Sequence, residues 1–504
     1  MLKDTIRYVI VRSGISLLSL GSLVLILHLL GPAESGKMTL VIVLVQGLAP
    51  LVSLGTDAAL ARYVVKAGRQ LSRDLYRQAL TFLLGGVGLT VGLLLLANQF
   101  NLLPTEVSGV LILIFSLIVC YGLNVVNIFL LRGAGKLNLT SVLDGLNEVA
   151  PRILALPLLL LVGSFYNIYL LVQLGVAIFV LLLSSWLVRR AFKRWPTAEL
   201  ELPHAEQSGK SQLEVVDLTK TEALQGYRLY SSMSWANNLV LLFYNNVSLW
   251  MLRYLLSPYE VGLFGLASRI PTMLIGLVLV PLNVPLLYHF TATEARQQRT
   301  AELIQGVVFL SAIMGCASLF LGGTADWLVP HLFGPDFSGA VPALIIYAQV
   351  PFIMAYQSLL NPLMTSQNRL QLVNLMAVLH IICSSIISLL LIPVLGVAAA
   401  SLAIAVAHVV VGLVYTACAR LVVPGLFKTL IYLYLVYLPF GLLAALHLWF
   451  IAVPGYLAGL LLLGLLDRRF IARLFASVRP KLSKTQELAK AESARVIEAG
   501  KVNP

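Results

Sequence analysis

From Tyr8 to Leu30 the chain is one apolar run long enough to cross a bilayer, and runs of that kind recur to its far end. A crossing takes about 20 mostly apolar residues, because lipid offers no partner for backbone N–H and C=O groups and the helix must satisfy them itself. On that rule fourteen segments qualify, at roughly 8–30, 38–63, 79–98, 108–131, 140–163, 167–189, 229–252, 262–288, 303–325, 339–362, 371–393, 396–420, 427–446 and 448–466. Of the 504 residues 59% are hydrophobic and 11% charged, more apolar surface than a water-soluble core of this size can hide. The chain therefore reads as an all-α polytopic membrane protein. Its first run reads as span 1 rather than as a cleaved leader.

The charges orient it. Cytoplasmic ends and loops collect Lys and Arg. With the N-terminus inside, fourteen spans place every basic residue but Lys37, Arg253 and Arg269 on the cytoplasmic side. Both termini are then cytoplasmic. The net charge of +13 sits at span ends, in the 6–7 loop and in the tail, so it gives no reason to expect a nucleic-acid partner.

A short motif repeats. Leu29-Leu30-Gly31-Pro32-Ala33-Glu34-Ser35-Gly36 returns as Leu255-Leu256-Ser257-Pro258-Tyr259-Glu260-Val261-Gly262, an offset of 226 residues. A looser copy is Leu332-Phe333-Gly334-Pro335-Asp336-Phe337-Ser338-Gly339. Each copy separates two spans, as a tight hairpin re-used in a duplicated molecule would. Six is even, so span 7 enters from the same side as span 1. The halves are then parallel, pseudo-symmetric six-helix bundles with a cleft between them. The expected organisation is an N-terminal lobe at 1–190, a cytoplasmic linker at 191–228, a C-terminal lobe at 229–420, a hairpin of spans 13 and 14 at 421–466, and a basic tail at 467–504.

No enzyme motif emerges: there is no Gly-Lys-Ser/Thr phosphate loop, no metal spacing among the seven histidines, and no disulfide frame in the four cysteines. No cofactor and no metal are expected. A membrane glycosyltransferase or polymerase would need a large outer loop, and the longest here run to about ten residues.

The informative residues are ionisable groups inside spans, each costing about 2.5–3.5 kcal/mol at a helix centre unless it meets water or a partner. Arg12 lies in span 1 and Arg269 in span 8; each either snorkels to the headgroups or faces a cleft, and snorkelling suits Arg12, near the cytoplasmic end, better than Arg269, some seven residues into its helix. Asp144, Glu148 and Arg152 recur at i, i+4, i+8 on one face of span 5, as an internal salt pair or as a polar wall. Asp57 and Arg62 close span 2, as a pair or cap. Span 7 is polar for a span, with Trp235, Asn238 and Asn245 among its residues. Amides suit either interhelical hydrogen bonds or sugar hydroxyls, with the indole for a ring face.

These motifs, with Leu54-Gly55-Thr56-Asp57-Ala58-Ala59-Leu60-Ala61-Arg62-Tyr63, Val261-Gly262-Leu263-Phe264-Gly265-Leu266-Ala267-Ser268-Arg269-Ile270 and Ile392-Pro393-Val394-Leu395-Gly396-Val397-Ala398-Ala399-Ala400, make residues 1–470 resemble a bacterial polysaccharide (O-antigen type) flippase of the multidrug/oligosaccharidyl-lipid/polysaccharide exporter superfamily. The resemblance implies two six-helix lobes around a cationic cavity. It also implies alternating access in the bacterial cytoplasmic membrane, moving an undecaprenyl-pyrophosphate-linked oligosaccharide outward for cell-surface (lipopolysaccharide) polysaccharide synthesis. Arg269 matches a basic position that the family often has in helix 8. Asn246 stands where it often has an aspartate. Substrate contacts are then expected from Arg12, Arg152, Arg269, Trp235, Asn238 and Asn245, and coupling from Asp57, Asp144 or Glu148. The partners implied are the lipid-linked substrate, membrane lipid, and a polymerase and glycosyltransferases, around a monomer. A lipid II flippase, or a cation-coupled drug exporter using those acidic residues, is the alternative within the same architecture.

Overall fold

The structure is a computed structural model that describes residues 2–64, 69–163, 165–194, 220–279, 296–366, 369–419 and 425–462. Every regular element among them is helical. The helices are α1 (Leu2–Val52), α2 (Thr56–Val64), α3 (Arg69–Gln99), α4 (Thr105–Ser108), α5 (Leu111–Gly133), α6 (Leu137–Val162), α7 (Tyr166–Arg194), α8 (Lys220–Leu255), α9 (Pro258–Val278), α10 (Arg296–Gly323), α11 (Ala325–Phe333), α12 (Val341–Tyr347), α13 (Val350–Ser366), α14 (Leu370–Leu395), α15 (Val397–Ala419), α16 (Leu426–Ala445) and α17 (Trp449–Leu462). A 3-10 turn, Pro335–Ala340, joins α11 to α12.

Ten of these helices are long and apolar enough to cross a membrane, and eleven if the bent pair across Tyr347 and Val350 counts as one span. The difference from fourteen has local causes. α1 passes as one helix although Gly31 breaks it with φ 70° and ψ 174°. α8 is too polar to pass, and α17 is 14 residues long.

Gly31 does more than kink α1. Leu23 and Gln46 line the same small cavity, yet a straight helix would set them about 35 Å apart. The chain therefore doubles back at Gly31, giving two arms, 2–30 and 32–52. Pro32 opens the second arm, where its missing N–H costs nothing. The second copy of the motif opens α9 by another route: the Ser257 side chain accepts from the Tyr259 N–H, Glu260 caps the Ser257 N–H, and Pro258 follows the cap. In the first copy Glu34 instead accepts from the Tyr166 N–H at the start of α7 (3.0 Å) and pairs with Lys37 (2.6 Å).

The two copies lie against each other. A Cβ on Gly36 would sit 1.8 Å from the Pro258 carbonyl oxygen, and one on Gly262 would sit 1.9 Å from that of Pro32. The 226-residue offset carries one contact onto the other, Gly36 onto Gly262 and Pro32 onto Pro258, and it also links Thr39 to Gly265, which touch. The third copy joins this end: Gly334 approaches the His28 ring, and the Tyr259 hydroxyl donates to the Asp336 carbonyl (3.2 Å). At the other end of the seam Gly55, with φ 73°, lets α8 come so close that a Cβ there would meet the Ser231 carbonyl at 2.1 Å. Tyr63 and Tyr227 stack edge to face nearby. The seam between α1–α2 and α8–α9 is thus in contact at both ends.

Two apolar cores fill the molecule. The larger crosses the seam and gathers α1–α9 with α11, α12 and the junction of α14 and α15. The other lies among α10, α13, α15, α16 and α17.

Candidate functional site

Between the two ends of the seam lies a polar cavity walled by both arms of α1, by α6, α7 and α9. It measures about 20 Å³, room for a water molecule and far too small for a sugar. Its polar lining is Thr39, Gln46, Asn147, Glu148, Arg152, Tyr169, Gln173 and Arg269.

Arg152 is buried in α6 and donates to the Ser19 carbonyl (2.9 Å) and to the Ser19 hydroxyl. That hydroxyl in turn donates to Glu148 (2.7 Å). Ser19 on the first arm of α1 therefore bridges the two charged residues, one turn apart on α6. Arg269 reaches in from α9, within electrostatic range of Arg152, Glu148 and Tyr169. The three basic residues that break the sidedness of the sequence part company here. Lys37 pairs with Glu34 and Arg253 with Glu106, the latter through two nitrogens at 2.9–3.1 Å. Arg269 makes no ion pair and no hydrogen bond among the described residues.

The cavity thus holds two guanidinium groups and one carboxylate among its described side chains. A cation left unpaired in a medium of low dielectric is costly, and an anion entering the cavity would relieve it. Guanidinium groups bind phosphate oxygens through two parallel hydrogen bonds, which an ammonium cannot do. Two buried acceptors, the Asn147 Oδ1 and the Gln173 Oε1, also have no hydrogen-bond partner among the described residues. They offer themselves to hydroxyl donors.

Of the residues expected from sequence, Glu148 and Arg152 of α6 and Arg269 of α9, more than 100 residues further along the chain, come together at this cavity. Asp144, one turn below Glu148, points elsewhere: it pairs with Arg132 at 2.5 Å. Asp57 is buried in the first turn of α2 and accepts from the Ser53 hydroxyl at 3.3 Å. Trp235 and Asn238 lie on the seam rather than on the cavity, the Trp235 backbone against Gly55 and the Asn238 amide donating to the Pro50 carbonyl at 3.4 Å. Asn246 donates to the Leu242 carbonyl of its own helix. The side chains of Arg12, Arg62 and Asn245 lie outside the described residues. Ser19, Gln46, Asn147, Tyr169 and Gln173 went unflagged, since uncharged polar residues in spans are common. Gln173, an amide inside an otherwise apolar run, was the one with a readable signal.

The model of the family described as polysaccharide biosynthesis protein matches residues 1–290, more than half of the chain. Among curated proteins none matches. Of the solved structures it resembles, a lipid II flippase MurJ in an inward closed conformation superposes with TM-score 0.69 at 13% identity, covering 91% of this chain and 99% of that one. Inward- and outward-facing conformations of a multidrug resistance MATE family transporter of the MOP superfamily give TM-scores of 0.60 and 0.54. Each is 15% identical and covers 84% of this chain, and 95% and 96% respectively of the transporter. The fold is shared with both groups. By its sequence, this chain belongs to the polysaccharide biosynthesis protein family.

Proposed function

We propose that the protein is a flippase for a polyprenyl-pyrophosphate-linked oligosaccharide in the bacterial cytoplasmic membrane, working by alternating access at the cavity between its two halves. The architecture proposed with it is fourteen spans, both termini cytoplasmic, and two six-helix lobes related by an axis along the membrane normal, followed by the hairpin of α16 and α17. The observation that carries the reading is Arg269, a guanidinium without a partner among the described residues, brought beside Arg152 in a cavity walled by both halves. A pyrophosphate bears at least two negative charges and cannot cross hydrocarbon unaided. Two guanidinium groups supply the charge and the geometry it needs, while the unpaired amide oxygens of Asn147 and Gln173 suit sugar hydroxyls.

A cavity of this size is too small for the headgroup, which in this reading suits a closed state between loading and release. Parting the seam at one end would admit the headgroup from that side while the prenyl chain stays in lipid. Closing it again and parting the other end would release the headgroup opposite. Trp235 and Asn238, now on the seam, would be uncovered by that motion and become available to the sugar.

The test is complementation of a flippase-deficient bacterium. Arg269→Ala should abolish surface polysaccharide while the protein reaches the membrane at normal level; full complementation would remove Arg269 from the site. The second reading, transport of lipid II, is favoured by the extent of the likeness to MurJ. It uses the same pyrophosphate chemistry, and complementation of a lipid II flippase-deficient strain would decide for it.

A further inference from the structure

A second buried polar cluster lies in the other half, away from the arginines. His380 on α14 and His408 on α15 have ring centroids 4.4 Å apart, and the Tyr244 ring of α8 packs on both, at 4.3 and 5.9 Å. Both imidazoles are shut from solvent, 1% and 4% exposed. Each lies some ten residues into its helix, about 15 Å along, which is mid-bilayer for a hydrocarbon core of about 30 Å.

The His408 Nδ1 meets the Gln357 Oε1 at 3.2 Å, and the Gln357 amide donates to the His408 carbonyl at 2.8 Å. The His380 Nδ1 has no hydrogen-bond partner among the described residues. A buried ring nitrogen left orphaned calls for an explanation.

The surroundings extend the cluster. His380, Ser384 and Ser388 repeat at i, i+4, i+8 on α14 and are buried, so they share a face. The Ser388 hydroxyl meets that of Ser248 at 3.2 Å, one turn along α8 from Tyr244. Ser401, His408 and Tyr415 lie seven apart on α15, also buried, with the Ser401 and Tyr415 hydroxyls unpaired. This makes a polar track along two otherwise apolar helices, α14 and α15, that meets the polar α8.

We propose that His380 and His408 form a proton-binding site that couples proton uptake to opening of the seam. The titratable groups that face the pair are each other and Tyr244, with Tyr347 of α12 reaching Tyr244 and Tyr356 of α13 set against Gly412. Among the described residues no Asp, Glu, Lys or Arg faces it. A proton taken from water by the His380 Nδ1 would form a new N–H and put a whole charge among apolar helices with no counter-ion, which burial opposes strongly. The closed state therefore holds the pair neutral, and protonation is favoured only where the helices part and water enters. Two rings 4.4 Å apart repel once both are charged, so the pair takes one proton.

The connection to the seam is α8 itself. One turn and less from Tyr244, Leu242 and Asn246 sit against Gly47, and further along the helix Ser231 and Trp235 sit against Gly55. Movement of α8 away from the histidines is movement at the interface between the halves. A transition metal would need a third ligand, and among the described residues no group of three His, Cys, Asp or Glu exists. The inference concerns what drives the cycle and is independent of the substrate assigned above.

Distances between spin labels on the full-length protein in lipid nanodiscs, with its four native cysteines replaced, test it. Labels at Thr105 and Tyr259 report one end of the seam, and labels at Lys193 and Arg228 the other. Because the open state binds the extra proton, the closed population should fall as pH drops from 8 to 5, by up to about tenfold per pH unit for one proton. His380→Gln and His408→Gln should each reduce that response to less than about twofold. A wild-type distribution indifferent to pH, or a full response in both variants, overturns the proposal. Imidazole-nitrogen NMR of the wild type needs no variant. At pH 5, two of the seven histidines should share a single proton; two rings that stay neutral, or seven independent imidazolium ions, would refute the site.

Discussion

Gly36 and Gly262 hold the two halves together through one contact made twice, which gives a quantitative prediction. Replacing Gly36 with alanine puts a methyl 1.8 Å from the Pro258 carbonyl oxygen, and Gly262→Ala puts one 1.9 Å from that of Pro32. Ordinary contact begins near 3.4 Å, so the second arm of α1 and α9 must part by about 1.6 Å at this end. The clash is with backbone and cannot be relieved by a change of rotamer. Overpacking of this kind costs about 1–3 kcal/mol, a five- to 150-fold loss of closed population at this end. Parting the helices for one methyl also makes room for the other, so the penalties should not add. The double variant should lie within about 0.5 kcal/mol of the worse single one. Spin-label distances between Thr105 and Tyr259 measure the population directly. Additive penalties, or single variants indistinguishable from wild type, would show that the copies of the motif do not close against each other.

Two further outcomes rest on the same geometry. Arg253 and Glu106 form a bidentate pair across the seam with side chains 20% and 11% exposed. Glu106→Gln should weaken closure at that end by about 1.5–3 kcal/mol, and exchanging the two residues should restore much of it; a label distance unmoved by Glu106→Gln would make the pair incidental. Ser19→Ala removes the bridge between Glu148 and Arg152, which leaves both charges in the cavity less satisfied. Thermal unfolding of the membrane-embedded protein should then begin several degrees lower, and an unchanged midpoint would show that water replaces the hydroxyl without loss.

Much of this was legible in the chain before any coordinates. The copies of Leu29–Gly36 stand out because Gly and Pro are punctuation between apolar runs, and their 226-residue offset is the one at which Gly36 meets Gly262. Arg152 and Arg269 stand out because a guanidinium in a span needs a reason. The polar face of α8 was equally visible, but whether Trp235 and Asn238 face a cavity or a seam depends on the conformation. They lie against Gly55 and Pro50. Asp144 and Glu148 share a face of α6 by spacing alone, yet Arg132 of α5 takes one and Ser19 of α1 the other, a division set by neighbours on different helices. His380 and His408 are 28 residues apart on separate helices. Nothing in local pattern pairs them, although His380, Ser384 and Ser388 at four-residue spacing marked a polar face. The break at Gly31 was expected as a hairpin, and its geometry shows why a length-and-composition rule passes two arms as one helix.

The most direct measurement of the central claim is binding of a short-chain prenyl pyrophosphate to the full-length protein in nanodiscs, beside the corresponding uncharged prenyl alcohol. The account predicts saturable binding of the pyrophosphate that weakens with added salt and falls at least about tenfold in Arg152→Ala and in Arg269→Ala, the loss expected when a charge-assisted hydrogen bond of about 1.5–3 kcal/mol is removed. Equal affinity for the uncharged alcohol, or pyrophosphate binding untouched by either arginine variant, would contradict it.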